Sequence, residues 1–250
     1  MRYLVVAAMV ITLTTVVSAY DWKVAEIGGP DSEGSPYEGG EVKFANDGFT
    51  ISSTGGDLWS NQLGITLVYV EISGDFTMRY TIEEQTTDPS AVWGKCGAIV
   101  MQDLEPDSPY MFIQSTCSNN DVAVNDKGTK IITRPQRGGE AGPGSNGWAP
   151  LTWPVTYKLV REGDLFTASV SLDGGKTFES IANPAEGKED NTTLALEDPV
   201  ILGIAASGDE DGMPITTTAT VTNVFINGIN AFAVEPGRKL ATTWAGIKKQ

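Results

Sequence analysis

Short runs of β-branched and aromatic residues recur along the chain between Gly, Pro, Asp and Asn turns, and helical periodicity is nearly absent through residue 231. The clearest run is 75–83. There Phe76, Met78, Tyr80 and Ile82 alternate with Thr77, Arg79, Thr81 and Glu83, the pattern of a strand with one buried and one wet face. The same reading predicts strands at 49–53, 65–72, 96–103, 110–117, 121–125, 130–133, 155–161, 165–172, 177–181, 200–207 and 215–227. About twelve strands without helices between them predict an all-β fold, two antiparallel sheets stacked as a β-sandwich. No internal repeat is visible.

The two ends of the chain read differently. Met1-Arg2 is a short positive segment, residues 4–17 are apolar, and Val17-Ser18-Ala19 offers small residues for cleavage before Tyr20. Residues 1–19 therefore read as a secretory signal peptide, with an uncleaved anchor as the alternative. The apolar run is too short to span a bilayer, and no later segment approaches the length that would. The expected product is a secreted, extracellular or cell-surface domain over 20–231 with no membrane span. Residues 232–250 form a basic tail, with Arg238, Lys239, Lys248 and Lys249 against Glu235 alone. Leu240, Trp244 and Ile247 make one helical stripe in it, which reads either as a docking segment or as a frayed terminus.

Composition narrows the chemistry. The 250 residues carry a net charge of −15, two cysteines and no histidine. Histidine-based triads, His-ligated zinc and the two-His iron site are thereby excluded. So acidic a chain is also a poor partner for nucleic acid. With the tail at +3 and the signal removed, the body carries −19.

Four local patterns hold candidate sites. The turn Glu105-Pro106-Asp107-Ser108 closes a hairpin; centred between Pro106 and Asp107, it sets Cys96 opposite Cys117. That register predicts a cross-strand disulfide in an oxidising compartment, with two separate buried thiols as the alternative. Ser171, Asp173, Gly175, Thr177 and Phe178 make an Asp-box, read as a hairpin staple in which the carboxylate caps backbone N–H groups. The long segment 134–153 has no strand character. Its Trp148 and Trp153, with Arg134, Arg137 and Asn146 as polar partners, are the candidate sugar-binding residues, or else plugs for an open sheet edge. Asp209, Glu210 and Asp211 are the candidate calcium ligands, in a loop that otherwise reads as solvated acid. Calcium is the only cofactor the chain suggests. Asn191-Thr192-Thr193 is an N-glycosylation sequon.

These segments together resemble a known module. The residues are Trp22-Lys-Val-Ala-Glu-Ile-Gly-Gly-Pro, Gly55-Gly-Asp-Leu-Trp59, Tyr69-Val-Glu-Ile-Ser-Gly-Asp-Phe76, Trp93-Gly-Lys-Cys-Gly-Ala-Ile-Val-Met101, Lys158-Leu-Val-Arg161 and Ser171-Leu-Asp-Gly. In this order they resemble a concanavalin A-like module of largely unknown function. It is related to the C-terminal domain of family 43 β-xylosidases and found in secreted bacterial surface proteins. The resemblance implies a jelly-roll sandwich with a non-catalytic, glycan- or surface-binding role, and it puts Trp59 and Trp93 in the core. Cys96 replaces the usual Ala, and Thr156 or Tyr157 stands where a Trp is usual.

Catalytic carboxylates are not evident. Glu105 and Asp107 lie on a turn, and adjacent Glu83 and Glu84 on a regular strand would point to opposite faces, whereas retaining glycoside hydrolysis needs a facing pair about 5 Å apart. The reading is a secreted, non-catalytic sandwich binding carbohydrate or a cell-surface glycan. The alternatives are a structural surface protein that makes contact through its basic tail, and a cryptic glycoside hydrolase.

Overall fold

The computed structural model describes residues 20–29, 36–59, 61–88, 93–116, 128–143, 152–181, 190–210 and 212–232. Its strands are β1 (Lys23–Ile27), β2 (Gly39–Phe44), β3 (Gly48–Thr54), β4 (Ile65–Ile72), β5 (Phe76–Thr87), β6 (Lys95–Met101), β7 (Tyr110–Thr116), β8 (Thr129–Arg134) and β9 (Gly142–Pro143). They continue as β10 (Val155–Glu162), β11 (Leu165–Ser171), β12 (Glu179–Ser180), β13 (Asn191–Thr193), β14 (Val200–Ser207), β15 (Asp209–Glu210), β16 (Met213–Pro214), β17 (Thr216–Ile226) and β18 (Ile229–Asn230). A seven-stranded sheet runs β1-β4-β14-β6-β7-β8-β9. A nine-stranded sheet runs β12-β11-β10-β5-β17-β3-β2, with β13 also on β11 and β18 on β17. The predicted strand 121–125 lies outside the described residues.

The sheets stack because each offers one apolar face. Phe76, Met78, Tyr80 and Ile82 of β5 meet Cys96, Ala98 and Val100 of β6 and Val200, Leu202, Ile204 and Ala206 of β14 in the main core. The opposite face of the seven-stranded sheet is buried as well. Ile99, Met101, Tyr110, Phe112 and Ile132 form a second core there, roofed by Leu58 and Leu63 from the β3–β4 connection. Every residue of β6, β7 and β14 is consequently buried, and this is why they read as near-continuous apolar runs. Full burial of Leu58 and of Leu63 contributes roughly 1.5–3 kcal/mol each.

Three register details correct the sequence reading. The β6–β7 hairpin pairs Met101 with Tyr110 and Cys96 with Ser115, not with position 117. The cause is the turn: Ser108 N–H donates to Glu105 O (3.0 Å) and Gln102 N–H to Pro109 O (3.1 Å), which centres the hairpin between Glu105 and Pro106. Cys117 lies outside the described residues, and the opposition that predicted a disulfide is absent. Secondly, β17 pairs Thr220 with Glu84 but Val221 with Ile82, so Glu83 is the extra residue of a bulge. Glu83 and Glu84 therefore share the outer face, where Glu83 accepts a hydrogen bond from Thr222 Oγ1. Thirdly, the 134–153 segment, expected to lack strand character, pairs Ile132 with Pro143 and Thr133 with Gly142.

Two buried tyrosine hydroxyls are matched inside the sandwich. Ala98 N–H donates to the Tyr80 hydroxyl (2.9 Å), and the Tyr157 and Thr129 hydroxyls share a hydrogen bond of 2.9 Å. Burial pushes both phenols well above their ordinary pKa. Arg161 is buried and clamps one end of the sandwich, donating to Leu196 O (3.1 Å), Gly163 O (3.0 Å) and Asp198 Oδ1 (2.6 Å).

The register defines two ends. One carries the β4–β5, β6–β7 and β10–β11 turns, with Arg134, Arg137 and Arg161. The other carries the starts of β6, β8, β10 and β17 and the end of β11.

Candidate functional site

The second end of the seven-stranded sheet gathers tryptophan, lysine and amide side chains on its outer face. Lys95 and Gly97 follow the outward parity of Ile99 and Met101, as Gln114 and Thr116 follow Phe112, and Lys130 follows Ile132. Pairing places Lys95 opposite Thr116 and Gln114 opposite Lys130. The polar floor of the site is thus a direct outcome of strand alternation.

The β3–β4 connection is folded over this floor by a glycine turn. Gly56 has φ +69°, and a Cβ there would lie 2.2 Å from Gly64 O, so only glycine fits. Gly64 N–H donates to Asp57 O (2.8 Å) and closes the turn. Asp57 then reaches Lys95: Nζ and Oδ1 are 2.7 Å apart, with both side chains about nine-tenths or more buried. The next residue but one, Trp59, stands 38% exposed at the rim. Lys130 Nζ lies 5.7 Å from the Trp59 ring centroid and 5.6 Å from that of Trp93, so one ammonium sits between two indoles. Cation–π attraction at such a position is worth about 0.5–2 kcal/mol.

Two polar atoms of the floor lack a hydrogen-bond partner. Gln114 is fully buried and donates through Nε2 to Thr116 Oγ1, leaving Oε1 unmatched. Ser207, paired with Lys95 across the sheet, leaves Oγ unmatched. Together the elements offer flat apolar rings at the rim, an ammonium between them, and an unmatched amide oxygen below.

The residues proposed from sequence are dispersed. Trp153 is half-buried and packs against the main core. Arg134 is fully buried, donating to Pro106 O (2.9 Å) and Ser108 O (3.3 Å) over the Tyr110 ring, so it is no surface partner for a sugar. Arg137 is exposed but bridges Asp103 and Asp107 (2.7 Å to the latter). Both arginines lie at the end of the sandwich away from Trp153. Trp148, Asn146 and Asp211 lie outside the described residues. The Asp209–Glu210 backbone pairs with Met213–Pro214, and the described residues contain no group of three or more His, Cys, Asp or Glu side chains arranged to hold a metal. The sequon residue Asn191 is on β13, half-buried, opposite Thr167.

In the Asp-box, Asp173 Oδ1 accepts the N–H groups of Lys176 and Thr177 (3.0 Å each) and Oδ2 the Thr177 hydroxyl (2.7 Å). Ser171 Oγ donates to Asp173 Oδ1 (2.7 Å) and accepts from Gly175 N–H (2.8 Å), while Phe178 lies under Lys158 Nζ at 4.6 Å. All the polar capacity of the motif goes to its own turn.

The residues that sequence reasoning missed are Trp59, Trp93, Lys130 and Gln114. The available signal was Gly55-Gly-Asp-Leu-Trp59, an aromatic two residues past a glycine turn, together with the polar positions at the start of β8.

No family model matches the chain, and no curated protein does. Among solved structures, it resembles a functionally unknown protein from Saccharomyces cerevisiae, with TM-score 0.53 and 12% identity over 85% of this chain and 97% of that one. It also resembles the GH43 protein BlXynB from Bacillus licheniformis (TM-score 0.48, 12% identity, 72% of this chain but 33% of that one). A third is the exoplasmic/lumenal domain of VIP36 in its Ca2+/Man3GlcNAc-bound form (TM-score 0.43, 10% identity, 87% of each). By architecture the chain is a concanavalin A-like sandwich. At these identities the likeness is one of fold alone. Among the described residues no helix is long and apolar enough to cross a membrane.

Proposed function

We propose that the protein is an exported carbohydrate-binding module that performs no chemistry on its ligand, and that the Trp59–Trp93 rim is where the sugar stacks. The observation that carries this is the pair of indoles bracketing Lys130 above a polar floor, at a sheet end where Trp59 is open to solvent. Sugar rings present C–H faces to aromatic planes and hydroxyls to amides, and the rim and floor supply one of each. Asp57, the carboxylate that reaches this floor, is already engaged by Lys95, which supports binding over hydrolysis. Export rests on the pattern of residues 1–19.

The test is a depletion assay of residues 20–250 against a panel of polysaccharides, acidic and neutral. Trp59→Ala is expected to weaken binding roughly tenfold, about 1.4 kcal/mol, while lowering the melting temperature by no more than about 2–8 °C, the loss of its contact with Lys130. Undiminished binding by that variant refutes the site; no binding to any glycan refutes the function.

A further inference from the structure

We infer that the outer face of the nine-stranded sheet holds a second binding site, centred on Arg79 and Lys158, for the sulfate ester groups of a sulfated polysaccharide. Met78 and Tyr80 of β5 and Tyr157 and Leu159 of β10 point into the main core, so Arg79 and Lys158 point away from it. The register sets the two directly opposite each other, where like charges repel. Each is seated on an aromatic ring: Arg79 Cζ lies 4.5 Å from the Phe225 centroid, and Lys158 Nζ lies 4.6 Å from that of Phe178. The ion pairs among the described residues engage Lys23, Lys43, Lys95, Arg137 and Arg161 and leave both of these cations out. In a chain with 32 acidic residues against 17 basic ones, two adjacent cations without a counter-ion mark a place for an anion from outside the molecule.

The surroundings select the anion. Thr81 and Thr156, the next outward pair on the same two strands, share a hydrogen bond of 2.9 Å; whichever donates, the other keeps an O–H for a further acceptor. The Asp-box hairpin walls one side, since a Cβ on Gly175 would lie 3.8 Å from Arg79 Nη1 and 3.8 Å from Phe178 Cζ. Its own carboxylate does not compete, because Asp173 is held by the N–H groups of Lys176 and Thr177. The guanidinium fork takes two oxygens of an oxyanion. A carboxylate has no more to give, whereas a sulfate ester turns a third oxygen towards the ammonium. β17 continues the face with Thr218, Thr220 and Thr222, half-buried hydroxyls that suit those of a polymer lying along the sheet. The site is on the other sheet from the Trp59 rim and stands independently of it.

The experiment measures binding of residues 20–250 to κ-carrageenan against agarose, and to chondroitin sulfate against unsulfated chondroitin, by affinity electrophoresis at low and high salt. The sulfated member of each pair is expected to be held at least about tenfold more tightly, with the preference shrinking as salt rises. Arg79→Gln combined with Lys158→Gln is expected to erase the preference, Lys158→Arg to keep it, and Trp59→Ala to leave it unchanged. The salt series on native protein stands on its own if the double variant does not fold. Equal affinity within each pair, or a preference that survives in the double variant, overturns the inference and leaves the Trp59 rim untouched. A preference that disappears in Trp59→Ala puts the sulfate at the rim and overturns it as well.

Discussion

Arg134 and Arg137 stand three residues apart and show how little residue type says about fate. The Arg134 guanidinium is enclosed, donating to two carbonyls of the β6–β7 turn and lying 5.0 Å from the Tyr110 ring centroid. Arg137 is open to solvent between Asp103 and Asp107. Burial alone would raise the Asp103 carboxyl, but the hydrogen bonds from Arg137, the Glu105 N–H and Ser108, with the Arg137 charge, together outweigh it and hold the group below its ordinary pKa. The two arginines should separate sharply in urea melts. Arg134→Met is expected to cost about 3 kcal/mol, since it removes a buried charged donor from Ser108 O and one of the two donors to Pro106 O. Arg137→Met is expected to cost under about 1 kcal/mol, as exposed ion pairs do. Equal losses would contradict the assignment of one to the interior and the other to the surface. Sequence reasoning treated them alike because it put both in the 134–153 segment, where an arginine is ordinarily wet, whereas Arg134 is the last residue of β8 and points outward from its sheet. Here the outward face is the second core.

At the scale of the element, the Asp-box hairpin makes its own test. Hydrogen bonds from the Thr177 N–H, the Ser171 hydroxyl and the Thr177 hydroxyl hold the Asp173 carboxyl far below the usual carboxylate range. A carboxyl whose pKa is depressed on folding stabilises the native state above its unfolded value, about 3.9, and loses that contribution as pH falls towards the folded value. Native protein is therefore expected to melt at a higher temperature than Asp173→Asn at neutral pH. The gap should hold down to about pH 5 and narrow with further acidification. A gap unchanged at the most acid pH where both proteins fold would refute the staple.

The strands themselves were legible from alternation: 65–72 and 200–207 coincide with β4 and β14, and Phe76 to Ile82 bury as the period demands. Register was not. Alternation fixes which residues share a face but not the partner strand's offset, which the Glu105–Ser108 turn set two units from the expected sum. The Glu83 bulge likewise leaves no mark in a Glu-Glu pair. The edge strands β1 and β2 went unread because Val24, Glu41, Lys43 and Phe44 are exposed and break any apolar period.

For the whole molecule, the sandwich was legible and the candidate site was not. Twelve apolar runs without helices suffice for two sheets. The near-continuous apolar runs of β6, β7 and β14 are the local sign that one sheet is covered on both faces, but nothing local shows what covers the outer one, and this decides which tryptophans are open. Trp153 looked like a loop residue and closes the main core; Trp59 looked like a core residue and stands at the rim. The Gly56–Gly64 turn makes the difference, by folding Leu58 inward and leaving Trp59 behind.

That roof is tied down by the buried Lys95–Asp57 pair, by Leu63 N–H on Pro106 O (2.8 Å) and by Tyr110 Oη on the Leu58 carbonyl. The segment that carries Trp59 is therefore the same segment that shields the central strands from solvent. Occupancy of the rim and protection of the interior become one thermodynamic quantity. A ligand held at Trp59 should slow amide hydrogen exchange along the whole of β6 and β7, beyond the floor residues it meets, by the factor through which it suppresses opening of the roof. Exchange rates in those two strands would then titrate the binding equilibrium, and rates indifferent to a saturating ligand would show the roof and the rim to be uncoupled.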